Sequence, residues 1–138
     1  QLSIKNTPKS LFYNIINNDL GVFFMDNCLF CRIIKGEIPS TKVYEDEYVY
    51  AFRDIHPAAP VHVLVVPKVH IESLEALNDE NIQNIIPVHK AIKKVAQITG
   101  IDHSGYRVIV NCGEGAGQTV PHLHYHVLGG IKMGEKLL

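Results

Sequence analysis

Between Pro121 and Leu128 the chain reads Pro-His-Leu-His-Tyr-His-Val-Leu, with histidines at 122, 124 and 126. Side chains in a β-strand alternate between faces, so residues at i, i+2 and i+4 line one side of a sheet. The spacing predicts a strand that turns His122, His124 and His126 to one face and Leu123, Tyr125 and Val127 to a core. Three groups that titrate near neutrality then share one surface. Protonated together they repel, and buried neutral each ring needs hydrogen-bond partners. The bland alternative is a strand whose polar face happens to be histidine-rich. Chance rarely gathers three on one face, so the cluster reads as a site.

Length and charge narrow what that site can hold. A chain of 138 residues makes one domain with a real core and is too short for two. Its formal net charge is -1, and no basic run suggests a nucleic-acid groove. An anionic ligand must therefore be met by backbone amides and histidines, which points to a small molecule. No apolar stretch approaches the about 20 residues of a membrane span. Of three cysteines, Cys28 and Cys31 stand in a C-x-x-C spacing, which suits a reduced, cytoplasmic protein better than a disulfide framework.

Residues 1–24 read as an N-terminal appendage of unknown role. Leu11–Ile16 is apolar but short and lacks a small-residue cleavage site, a weak match to a signal peptide. The compact domain is assigned to residues 25–138. Asp26 or Asn27 can cap a helix over Cys28–Lys35, with Gly36 placed to end it in the left-handed conformation. Thr41–Glu45 and Tyr48–Arg53 read as strands joined at Asp46-Glu47, and Val61–Val66 as a third. Ile71–Leu77 reads as a short helical turn. Asp79–Thr99 carries the 3.6-residue apolar period of the main helix, with Pro87 predicting a kink or break and Gly100 a stop. Tyr106–Asn111 is the fourth strand and the histidine strand the fifth. Three strands before the long helix and two after it argue for an antiparallel α+β sheet with one long and one or two short helices.

A loop with three glycines, Cys112-Gly-Glu-Gly-Ala-Gly-Gln-Thr119, precedes the histidine strand. Glycines let backbone N–H groups approach an oxyanion, and Gln118 and Thr119 add side-chain donors. A phosphate held there would meet imidazole nitrogens. A neutral imidazole can attack phosphorus, while its neighbours neutralise oxygens and protonate the leaving group, with no cofactor required. Alternate histidines on a strand also suit zinc. Spacing alone leaves nucleophile and metal ligand both open, and the glycine loop tips the balance toward phosphate chemistry.

The stretch Gly117-Gln-Thr-Val-Pro-His-Leu-His-Tyr-His-Val-Leu128 resembles the signature of the histidine triad superfamily. Phe30–Pro39, Ala51–Ile55 and His62–Lys68 are similar in the same order, so the resemblance spans about residues 26 to 133. Gly129-Gly130 is similar to the branch of histidine triad nucleotide-binding proteins. The resemblance implies a five-stranded antiparallel sheet continued across a homodimer, and hydrolysis of the P–N bond of purine nucleoside 5'-phosphoramidates. It implies that His124 is the nucleophile, His126 a phosphate contact, His122 the residue orienting His124, and His62 a further histidine bordering the site. Asn111, Gly117, Gln118 and Thr119 match the phosphate side, with Thr119 also matching a leaving-group role. Asp54 matches the ribose carboxylate. Leu29, Phe30, Ile33, Phe52, Ile55 and Leu64 match the slot for the base, where core packing is the competing reading.

The C-terminal segment Ile131–Leu138 departs from the aromatic, proline-rich tail common in that branch, and the chain holds no tryptophan. That leaves the leaving-group preference open. On a helix Cys28 and Cys31 share a face, and the resemblance completes a structural zinc site with His70 and His122. Two small buried cysteines are the alternative. Cys112, His56, His89 and His103 receive no role, with His89 read as a surface residue. A dinucleoside polyphosphate hydrolase and a non-catalytic nucleotide-binding regulator are the rival functions.

Overall fold

The computed structural model describes residues 25–138; the appendage at 1–24 lies outside the described residues. Helix α1 spans Leu29–Ile34, strands β1 Lys42–Glu45, β2 Val49–Arg53 and β3 Val61–Pro67, helix α2 Ile85–Thr99, and strands β4 Tyr106–Ile109 and β5 Tyr125–Gly129. The five strands form one sheet in the order β1-β2-β3-β5-β4, antiparallel at every pairing. The α+β expectation is met.

Alternation along the central strands separates two cores. Val49 and Ala51 of β2, Val63 and Val65 of β3, and Tyr125 and Val127 of β5 face α2, where Val88, Ala91, Ile92, Val95 and Ala96 cover them. Tyr50, Phe52, Leu64 and Val66 face the other way and meet Cys28, Phe30, Cys31 and Ile33 of the α1 segment. Buried on both faces, β2 and β3 read as nearly continuous apolar runs.

Several local expectations shift. Cys28, not Asp26 or Asn27, caps α1: its Sγ accepts from the Cys31 amide at 3.4 Å. Gly36 does take the left-handed conformation, at φ +83°. The helix expected from Asp79 starts only at Ile85, after a 3-10 turn over Ile82–Asn84. Pro87 thereby falls in the first turn of α2, where its missing N–H costs nothing, so it marks the start rather than a kink. The turn after β3 is a short 3-10 segment, Leu74–Ala76. Gly129 has a packing reason: a Cβ there would stand 2.7 Å from Ile101 Cδ1.

The largest correction concerns the histidines. Only His126 lies within β5; His122 and His124 precede it in irregular backbone. The Leu123 amide donates to the Ile71 carbonyl rather than to a neighbouring strand. The alternation of faces nevertheless holds, since Leu123 joins Tyr125 and Val127 in the α2 core.

Candidate active site

His126 pairs with Leu64 across β3–β5, and His62 with Leu128 two places along, so His62 and His126 are diagonal neighbours on one face. Their rings meet, His62 Nε2 to His126 Nδ1, at 2.9 Å. Asp54 opens the loop after β2: one carboxylate oxygen accepts from the His56 amide at 2.8 Å, and the other sits 3.4 Å from His62 Nε2. The Ala58 amide donates to His62 Nδ1 at 2.9 Å.

His124 is oriented by backbone and by an aromatic edge. Its Nδ1 donates to the His122 carbonyl at 2.7 Å, and Phe30 stands edge-on at a 5.1 Å centroid distance. A carbonyl only accepts, so the proton is on Nδ1 and the lone pair on Nε2. Burial holds His124 and His62 below the ordinary imidazole range. Burial, then the neighbouring His124 and His62, lowers His126 to about 4. All three rings are neutral at pH 7, the state in which an imidazole is a nucleophile.

A cavity of about 320 Å³ opens over these rings. Leu29, Phe30, Ile33, Phe52, Asp54, Ile55, Leu64, Thr119, His124 and His126 all line it, together with Ile38–Ser40, Arg53, His56 and Val120. Leu29, Phe30, Ile33, Phe52 and Leu64 make one part of the lining apolar, while Asp54, Thr119, His124 and His126 bring carboxylate, hydroxyl and imidazole to it. His62 and Asn111 instead line an adjoining space of about 560 Å³ that shares His126 with the first and includes Arg107 and Leu137-Leu138. A larger groove of about 770 Å³ between Ser104–Arg107 and Gly130–Met133 holds no histidine or cysteine.

The glycine loop works differently from the expected amide cradle. Amides of Ala116, Gly117 and Gln118 bond Gly113 and Glu114 carbonyls inside the loop. The Gln118 side chain accepts from the Gly113 amide and donates to the Glu72 and Val120 carbonyls. Gly117, at φ +87°, turns the chain so that Thr119 reaches the cavity. Gly117 and Gln118 thus shape the loop rather than line the cavity.

His122 belongs to a second cluster behind the cavity. Fully buried, it donates from Nε2 to the Pro67 carbonyl at 2.9 Å, which leaves a bare Nδ1 3.4 Å from Cys28 Sγ and 3.6 Å from Cys31 Sγ. His70 Nδ1 is 3.4 Å from Cys31 Sγ. All four donor atoms lie within 4.8 Å of one another. A tetrahedral zinc with these ligands needs separations of about 3.3–3.8 Å, so the set fits with small adjustments. The Cys31 contact and the two histidines hold the Cys28 thiol below its ordinary range, while the Cys28 contact and burial push Cys31 up. His89 is exposed, its ring edge-on to Tyr125.

The residues sequence reasoning missed are Ile38, Pro39, Ser40, Arg53, His56 and Val120 in the cavity wall, and the amide of Ala58 and carbonyl of Pro67 that fix two histidine tautomers. The Pro57-Ala58-Ala59-Pro60 pattern announces a loop; a backbone group's partner has no sequence signal. Among the described residues no helix is long and apolar enough to cross a membrane.

Comparison with known proteins agrees with this geometry. A family profile described as HIT domain matches residues 35–133. The purine nucleoside phosphoramidase of Escherichia coli (strain K12) is 40% identical over 112 residues, 81% of this chain and 94% of that protein. A HIT family hydrolase from Clostridium thermocellum superposes with a TM-score of 0.81 at 59% identity, covering 83% of this chain and 99% of that one. A histidine triad protein from Clostridium difficile gives 0.77 at 50% identity, covering 80% and 96%. The chain belongs to the HIT family.

Proposed function

We propose that this HIT-family chain is a hydrolase that cleaves the P–N bond of purine nucleoside 5'-phosphoramidates through a covalent nucleotidyl-His124 intermediate. The observation that carries the reading is His124 itself: neutral, with Nδ1 committed to the His122 carbonyl and Nε2 left as a lone pair, at the polar end of an apolar cavity. The likeness to the Escherichia coli purine nucleoside phosphoramidase supports the substrate class.

The base enters between Phe30, Ile33, Phe52 and Leu64, Asp54 accepts from the ribose hydroxyls, and the phosphoryl group meets His126 and Thr119. His124 Nε2 attacks phosphorus, the P–N bond breaks, and the amine departs with a proton drawn from solvent through the Thr119 hydroxyl, a proton returned to solvent when water resolves the intermediate. Water then attacks the phosphohistidine, releasing the nucleoside monophosphate and the free imidazole. Preorganised donors around the phosphoryl group supply the electrostatic stabilisation, and no step requires a cofactor.

The proposal extends to a structural zinc held by Cys28, Cys31, His70 and His122. When bound it supplies rigidity to the backbone whose carbonyl orients His124. A homodimer is proposed to continue the sheet from an open edge: β4 is such an edge and exposes Tyr106 and Val108. Sedimentation at micromolar concentration checks it, and a monomer refutes it.

The deciding test is hydrolysis of adenosine 5'-phosphoramidate, with acid quench and mass spectrometry to trap an adenylate on His124. Turnover that resists EDTA and passes through that adduct is expected. Binding of AMP without turnover favours the regulator, preferential cleavage of dinucleoside polyphosphates favours that rival, and immediate loss with EDTA makes the triad a metal site.

A further inference from the structure

Two histidine rings 5.1 Å apart, those of His124 and His126, share the end of the cavity, and they carry opposite hydrogen-bond patterns. His124 gives its Nδ1 proton to a carbonyl. Among the described residues His126 hydrogen-bonds only through Nδ1, and its Nε2 is the one buried side-chain nitrogen or oxygen without a partner. Which atom of His126 carries its proton decides whether that buried nitrogen offers a phosphate an N–H or a lone pair.

The answer comes from outside the triad, through a chain of contacts with one consistent solution. The Ala58 amide can only donate, so His62 Nδ1, 2.9 Å away, is the acceptor. A neutral His62 with a bare Nδ1 carries its proton on Nε2. That position faces the His126 ring nitrogen at 2.9 Å and an Asp54 carboxylate oxygen at 3.4 Å, both of which accept. The reverse arrangement, with His126 Nδ1–H donating to His62, would put a second proton against the Ala58 N–H at 2.9 Å. A doubly protonated His62 meets the same collision. His126 Nδ1 is therefore an acceptor, and its own proton sits on Nε2.

We infer that the Ala58 backbone amide, acting through His62 as a positioning residue, sets the tautomer of His126 so that an N–H rather than a lone pair is presented to the reacting phosphoryl oxygen. The consequence is a nucleophile and a donor built from the same side chain, side by side, with no net charge on either. His124 offers a lone pair at Nε2 and His126 a proton at Nε2. The donor strengthens as charge builds on the phosphoryl oxygens in the transition state. A lone pair at that position would repel the same oxygens. The inference deepens the hydrolase reading of this cavity and rests on it for the phosphoryl group, but the tautomers themselves are a property of the free protein.

The full chain labelled with 15N-histidine, at neutral pH and without substrate, gives each ring's tautomer from long-range 1H–15N correlations. His62 and His126 are expected as single Nε2–H tautomers and His124 as Nδ1–H. His126 found as Nδ1–H, or as a mixture, overturns the inference whatever the activity. Two variants then separate relay from packing. His62→Leu keeps bulk but removes the donor; His126 should become a tautomer mixture, with kcat down by about tenfold or more and KM changed by less than about threefold. His62→Gln restores a donor near the Nε2 position, and should return His126 to Nε2–H and recover most of the lost kcat. A His126 that stays Nε2–H in His62→Leu also overturns the relay. Tautomers as expected without any adenylate on His124 would defeat the hydrolase reading and leave the relay standing; an adenylate with the opposite tautomer would do the reverse.

Discussion

The two faces of the sheet are built from the same strands and differ in kind. On the α2 face, Val49, Ala51, Val63, Val65, Leu123, Tyr125 and Val127 meet a helix that presents valine, alanine and isoleucine. None of the buried residues there titrates near neutrality, and the imidazole of α2, His89, is exposed beside Tyr125. On the α1 face the cover is one short helix, and the layer beneath it mixes Phe30 and Phe52 with Cys28, Cys31 and the histidines. One face concentrates the apolar burial that stabilises a domain. The other gives up part of that burial to hold polar groups whose hydrogen bonds must each be completed. Placing the chemistry on strands and on the segment that enters β5, all backed by an apolar core, keeps its geometry fixed without asking the site itself to supply stability.

The comparison breaks most decisively at His124. His124→Ala is expected to cut turnover by about a thousandfold or more while the α2 face keeps the chain folded. Steady-state rates beside a thermal melt check it, and residual turnover within tenfold of the parent removes His124 as nucleophile. The converse change is Ile92→Ala on α2. It should cost about 2–4 kcal/mol in urea unfolding and leave kcat of the folded fraction unchanged. A matching fall in kcat would mean that the two faces are coupled.

Zinc sharpens the contrast inside the α1 face. Chelation is expected to lower the melting temperature by several degrees while the initial rate stays within about twofold, since the metal would brace the His122 backbone and never touch substrate. Metal analysis should find zinc in the parent and none in the Cys28→Ser/Cys31→Ser pair. A parent that never retains zinc leaves the two thiols as buried packing.

The smallest effect is in pH. His126, His62 and His124 are each held below the ordinary imidazole value of 6.5, chiefly by burial. His126 titrates near 4 folded and near 6.5 unfolded, so between those values the unfolded chain binds the extra proton. Stability is therefore full above about pH 6.5, falls as the pH drops toward 4, and loses nothing more from this group below that. Melts from pH 7 to 4 and a rate profile check it: kcat/KM should hold level through pH 6, with its acid limb below the ordinary imidazole value. A limb centred on 6.5 would show rings that are not desolvated.

The sequence was most legible where periodicity and burial agree. Alternation through His122–Val127 identified which side chains turn to the core, and the apolar runs at 49–53 and 61–67 located the central strands. Ten of the side chains expected around a nucleotide do line one cavity. Less legible were features decided by competition among long-range partners. Pro87 predicts an interruption in any helix spanning it, but a proline equally suits a first turn, and the start at Ile85 after a 3-10 turn was not written in the apolar period. The glycine loop looked like an anion cradle because glycine permits close approach; in the fold the amides of Ala116, Gly117 and Gln118 bond to the loop's own carbonyls.

By itself the sequence determined the chemistry available: three imidazoles on one side of a chain segment, two cysteines a helical turn apart, a carboxylate after an apolar strand. Tertiary structure alone decided how those groups divide. It drew His122 away to the Pro67 carbonyl and the cysteines, left His124 with a free lone pair, and set His62 between the Ala58 amide and His126. The physical reason is that an imidazole's role depends on which nitrogen holds the proton. That is set by backbone donors and acceptors, which every residue carries and no residue type announces.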